Sequence, residues 1–129
     1  MINVTKLIRN AIIANNITEE VNVFNYTIDD HFHEKTDKPI IRIYPLPFNP
    51  DTYADDNEIS REYHYQIDVW WSQDEPNEQA EKIVELLKVI NFQCYYREPL
   101  YESDVMSFRH IIRVKGSILS IQNGGEIND

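Results

Sequence analysis

Asp29, Asp30, His31, His33 and Glu34 form the densest group of potential metal ligands in the sequence. In an extended segment His31 and His33 would point to the same side, and imidazole with carboxylate suits borderline or hard divalent cations. The surrounding DDHFHEKTDK also carries Lys35 and Lys38, and no distal cluster of the same kind could complete a shell. A solvated polar loop accounts for it. Asp51, Asp55, Asp56 and Glu58 offer oxygens for calcium. An EF-hand loop, however, wants oxygens at alternating positions and glycine at the sixth, and neither condition is met here. Cys94 is the only cysteine and forbids an internal disulfide; Gln93, Tyr95 and Tyr96 beside it offer no base to activate a thiol. It reads as a small buried apolar residue. No G-x-S-x-G, H-E-x-x-H or glycine-rich phosphate loop occurs, and the chain has three glycines in all. We therefore assign no catalytic residue, no metal and no cofactor, and expect the chain not to be an enzyme.

The elements that would position any site follow from apolar spacing. Val4, Leu7, Ile8, Ala11 and Ile12 recur at helical period and predict an amphipathic helix over residues 3–16, with Asn15 and Asn16 ending it. Val21 to Tyr26 reads as a short strand with Val21, Val23 and Asn25 on one face, and Ile40 to Tyr44 as a second with Ile41 and Ile43 on one face. Pro45, Pro47 and Pro50 cannot donate ladder hydrogen bonds, so the second strand must stop near Leu46. The stretch from Pro45 to Ile59 is a long loop that still carries Phe48 and Tyr53. Loops of this length are commonly functional.

The clearest strand is Arg61 to Trp71. Tyr63, Tyr65, Ile67, Val69 and Trp71 line one face, and Glu62, His64, Gln66 and Asp68 the other, until Trp70 breaks the alternation. Phe48, Tyr53, Asp55, Asp56 and Trp70 are the candidate interface residues, because large aromatics grouped at one end of a sheet suit a partner that covers them. A second helix over residues 75–90, capped by Asp74 or Glu75, buries Ala80, Ile83, Val84, Leu87 and Ile90. Phe92 to Arg97 reads as a strand ended by Pro99. The last element spans Val105 to Ile121, with Met106, Phe108, Ile112, Val114 and Ile118 on one face, Arg109, Arg113 and Lys115 on the other, and a bend or bulge near Gly116. The tail from about residue 122 to 129 is expected to fray. Strands joined by loops should pair antiparallel, giving an α+β fold with a sheet of about five strands and both helices on one face.

At 129 residues the chain matches one domain, able to bury a core without staples. There are 22 acidic residues against 12 basic ones, a formal net charge of −10. That disfavours tight binding to nucleic-acid phosphates, which rests on Lys and Arg, yet suits a surface that DNA slides past. Nothing resembles a signal peptide, and no run approaches the ~20 apolar residues of a membrane span, so synthesis and retention in a cytoplasm, without membrane contact, are expected.

Taken together, the Tyr53–Asn57 turn (YADDN), the YQIDVWW stretch of residues 65–71, the amphipathic helix to Ile90, the Phe92 strand with its tyrosines and SFRHIIRV over residues 107–114 resemble the tail-completion (tail-terminator, head–tail joining) proteins of long-tailed phages of Gram-positive bacteria. The resemblance covers roughly Val4 to Leu119; the DDHFHEKTDK loop departs from the family pattern. It implies a structural virion protein that forms a ring, typically a hexamer, on the finished tail tube. The ring meets the head connector and lets DNA through its lumen without specific binding. Its expected place is the head–tail junction, after assembly in the host cytoplasm. An acidic lumen would repel the DNA backbone during passage. Two alternatives from other classes stand beside this: an acidic inhibitor or DNA mimic that binds a basic partner, and a small metal-dependent enzyme built on His31 and His33.

Overall fold

Asn3 opens the first helix, α1 (Val4–Ala14), its Oδ1 accepting from the backbone N–H of Lys6 at 3.0 Å. Asn15 and Asn16 end it as expected, Asn16 taking the left-handed φ of 55° that asparagine tolerates. The structure is a computed structural model and describes residues 3–28, 39–47 and 62–117. After α1 come β1 (Val23–Asn25), β2 (Ile40–Pro45), β3 (Glu62–Trp71), α2 (Asn77–Val89), β4 (Gln93–Glu102) and β5 (Ser107–Ser117). They build one five-stranded sheet in the order β1-β2-β3-β5-β4 with both helices packed against it, an α+β fold.

The core lies between the helices and one sheet face. Ile8 and Ile12 of α1 meet Ile41 and Ile43 of β2; Ile83 and Leu87 of α2 join Ile67, Val69, Ile112 and Val114 in the same cluster. These side chains are completely buried. Fully burying one such side chain stabilises by roughly 1.5–3 kcal/mol, so the alternation in β2, β3 and β5 fixes which face meets the helices. Tyr65 enters the core by its ring and keeps its hydroxyl satisfied against Thr5 Oγ1 at 2.6 Å. Burial, the larger cause, pushes that phenol above its usual pKa, against the lowering effect of the Thr5 bond.

Several details differ from the periodicity reading, each for a local reason. Residues Glu20–Asn22 form a 3₁₀ turn, leaving Val21 exposed and only three residues for β1. That strand pairs with β2 in parallel, Val23 opposite Ile41. A parallel pair needs a connection of a dozen residues or more, and residues 26–39 supply that length. β4 does not stop at Pro99 but continues to Glu102, because it is the sheet edge, where a residue without an N–H forfeits no inner ladder bond. The irregularity expected near Gly116 lies across the ladder, as a bulge between Cys94 and Tyr96. Gly116 itself stays in register, and its lack of a side chain matters: a Cβ there would sit 2.9 Å from the Asn91 carbonyl oxygen and 3.0 Å from Phe92 Cδ1. Met106 belongs to the β4–β5 turn rather than a strand face, with φ 51° and 68% exposure. Neither Asp74 nor Glu75 caps α2; Pro76 holds that position, and its carbonyl accepts from Ala80 N at 3.0 Å. Cys94 is half-buried against the core, its thiol 3.6 Å from the Tyr96 carbonyl oxygen.

Candidate functional site

The helix-free face of the sheet holds the densest chemistry among the described residues. β3 supplies Glu62, His64, Gln66, Asp68 and Trp70 to it, and this face is far from a plain solvated one: Asp68 is 0% and Trp70 5% exposed. The reason is register. β2 sets Arg42 directly opposite Asp68, and β5 sets Arg109 opposite Trp70. Cross-strand neighbours stand close enough for long side chains to reach one another.

Asp68 is therefore gripped from two strands. Arg42 donates Nε and Nη2 to its Oδ2 at 3.0 and 2.8 Å; Arg109 donates Nε and Nη2 to its Oδ1 at 3.2 and 2.8 Å. Gln66 Nε2 adds a fifth bond to Oδ1 at 3.0 Å. Arg109 also donates Nη1 to Glu102 Oε2 at 2.8 Å, and Glu102 Oε1 accepts from Trp70 Nε1 at 2.7 Å. The Trp70 ring lies 5.4 Å from the Arg42 guanidinium carbon and 4.8 Å from that of Arg109, within cation–π range of both. Burial works against the charge on Arg109, but Asp68 and Glu102 outweigh it and raise its pKa. An ionised carboxylate offers about four lone-pair sites. With five donors on Asp68, none is left to take a proton from a substrate or to hold a metal. The cluster is a rigid polar plate.

Trp70, expected at a subunit contact, is packed inside this plate instead; the strand end is closed by the chain's own arginines. Phe48, Tyr53, Asp55 and Asp56 lie outside the described residues, as do His31, His33, Asp51 and Glu58. Among the described residues no group of three His, Cys, Asp or Glu could hold a metal ion, and no helix is long and apolar enough to cross a membrane. The Arg42–Asp68–Arg109–Glu102 network was missed by sequence reasoning. Its one signal was Asp68 on β3 with basic residues at alternate positions of β5, a signal that says nothing without the strand order.

Further along the same face, His64 Nε2 is 3.0 Å from Glu62 Oε1 and its Nδ1 is 3.1 Å from the Tyr95 hydroxyl. A carboxylate, an imidazole and a hydroxyl in line have the connectivity of a proton relay. Burial pushes the Tyr95 phenol up, away from ionisation at neutral pH, and none of the three residues lines the grooves of about 480 and 260 Å³ found elsewhere on the molecule.

Opposite, on the helix side, His110 is 4% exposed between α2 and β4. Arg97 Nε donates to its Nε2 at 3.3 Å, which leaves the proton on Nδ1 to face Asn77 Oδ1 at 3.3 Å. Burial first, then the Arg97 charge, lowers its pKa, with Glu81 opposing. The folded state thus favours neutral His110. Its contribution to stability is complete above the unfolded pKa of about 6.5 and is lost as pH falls through the lower folded value. The melting temperature of the parent should accordingly drop more steeply below pH 6.5 than that of His110→Gln; parallel pH profiles would contradict this.

Comparison with protein-family models, with curated proteins and with solved structures returned no match.

Proposed function

We propose that this chain is a structural assembly protein, a subunit of the ring that caps a phage tail tube and joins it to the head connector. The observation that supports this most directly is the division of labour among its side chains. Arg42, Asp68, Arg109 and Glu102 are spent on one another, while Tyr95, Tyr96 and Tyr101 of β4 stand 44%, 39% and 53% exposed on the outermost strand. Tyr is favoured at protein contacts because it brings a large ring and a polar tip at small entropic cost. The same strand carries a bulge and Pro99, features that discourage continuation of the sheet into another copy. Contacts through side-chain surfaces fit this geometry better than edge-to-edge pairing. The sequence resemblance to tail-completion proteins and the net charge of −10, suited to DNA passing without adhesion, support the same reading. In it the protein works at the head–tail junction and carries out no reaction.

The experiment is to assemble tail tubes from the tube subunit of the same genome with and without this protein. Capped ends bearing a ring, and tubes that stop elongating, are expected. Tubes that grow unchanged with bare ends overturn the reading. The acidic-mimic alternative draws on the run Glu78, Glu81 and Glu85 along α2. It predicts instead a monomer or dimer that binds a basic protein with steep salt dependence.

A further inference from the structure

A seam runs between the start of α2 and the β4–β5 hairpin. It reaches the surface as the groove of about 260 Å³, with Pro76 and Asn77 on the helix side and Pro99, Tyr101 and Phe108 on the hairpin side. Two side-chain ties cross the seam. His110 of β5 reaches Asn77 of α2, and Arg97 of β4 reaches Glu81, one helical turn further on, at 2.7 Å. The two hairpin residues are themselves joined, Arg97 Nε donating to His110 Nε2. Asn77, His110, Arg97 and Glu81 thus form one unbroken run of contacts from helix to hairpin and back.

That run is compatible with one protonation state of His110. Nε2 accepts from Arg97 at 3.3 Å and so carries no proton. A proton there would set two donors and two positive charges face to face. The ring is 4% exposed, which leaves water little room to screen them. The elements around it bring no compensating charge. β3 sets Val69 and β4 sets Pro99 in register with His110, both uncharged. From α2, Asn77 is neutral, and Glu81, whose charge favours the imidazolium, is held by Arg97.

We propose that His110 and Arg97 form an acid-sensitive latch, in which protonation of His110 expels Arg97 and loosens β4 from α2. Arg97 is the member that moves, because its side chain is 32% exposed and can swing into solvent while His110 is enclosed. β4 is the strand that responds. It is the sheet edge, paired on one side, and already irregular between Cys94 and Tyr96. Local opening draws on such weakly held segments first. The completely buried Ile67, Val69 and Ile112 hold β3 and β5 whatever the charge on His110. The latch is shut at neutral pH and opens as pH falls through the pKa of His110, below the usual 6.5 or so. It stands independently of the tail reading.

Nuclear magnetic resonance on the full chain between pH 8 and about 4.5 reads both halves of the latch. At neutral pH the His110 ring should carry its proton on Nδ1 alone. Its titration should coincide with an at least 10-fold fall in the hydrogen-exchange protection of β4, while β2 and β3 keep theirs. In His110→Gln, neutral throughout, β4 should stay protected across the range. Arg97→Gln removes the opposing charge, so the His110 midpoint should rise; this reading does not depend on how well His110→Gln folds. A ring charged at pH 7 or still neutral at the acid end overturns the latch. So does a midpoint unmoved in Arg97→Gln, or protection lost evenly over the whole sheet.

Discussion

Replacing Asp68 with Ala is expected to cost about 3 kcal/mol of folding stability, read as a lower urea midpoint at unchanged m-value. Asp68 is fully buried and takes both guanidinium forks of Arg42 and Arg109. Removing one partner of such a pair leaves the other charge uncompensated, a loss of roughly 3–5 kcal/mol for buried pairs. The low end applies because the two arginine side chains keep 23% and 18% exposure and because Glu102 still holds Arg109. In the double variant Asp68→Leu with Arg42→Leu, one stranded cation is gone and part of the loss should return. A cost below about 1 kcal/mol for Asp68→Ala would mean that the arginines rehydrate freely and that the network behaves like an ordinary surface ion pair.

Trp70→Ala is expected to be at least as damaging, about 3–5 kcal/mol, the range for emptying the site of a buried Trp. The loss falls on folding rather than on assembly, since the ring is packed against Arg42 and Arg109 within one chain. Trp70→Phe keeps most of the apolar volume but gives up the indole donor to Glu102, for a loss of about 1.5 kcal/mol. Chemical denaturation of the two variants separates the terms. A Trp70→Ala protein that melts like the parent yet fails to associate would restore Trp70 to an intermolecular interface and break the assignment made here.

β4 shows how an edge strand is tied into the fold. Its inner side pairs with β5 along its length, while Arg97 ties it to α2 through Glu81 and His110. Its tyrosines stay partly exposed, Tyr95 beside Lys115, Tyr96 beside Arg113 and Tyr101 against Phe108. The bond from Tyr96 to Glu98 raises that phenol's pKa, so the hydroxyl stays a neutral donor at any physiological pH.

The sequence alone determined the pieces whose period is set by one-sided burial. α1, α2 and β3 were legible because their apolar residues repeat at 3.6 or 2 positions, and the choice of an α+β fold followed from their order. Boundaries were legible where a residue's own chemistry dictates them, as with Asn15 and Asn16. Tertiary structure decided everything that depends on which strand lies beside which. Pro99 looked like a terminator until β4 proved to be an edge; β1, expected to pair antiparallel with the next strand, pairs parallel to β2. Asp68 and Trp70 gave the clearest case. Alternation places them on the polar side of β3, where Trp70 reads as partner-seeking, yet Arg42 and Arg109, distant in sequence, close over them from the two flanking strands. Period-two patterning reports the face a side chain points to, while the neighbours on that face are set by register between remote segments, and no single strand carries that information.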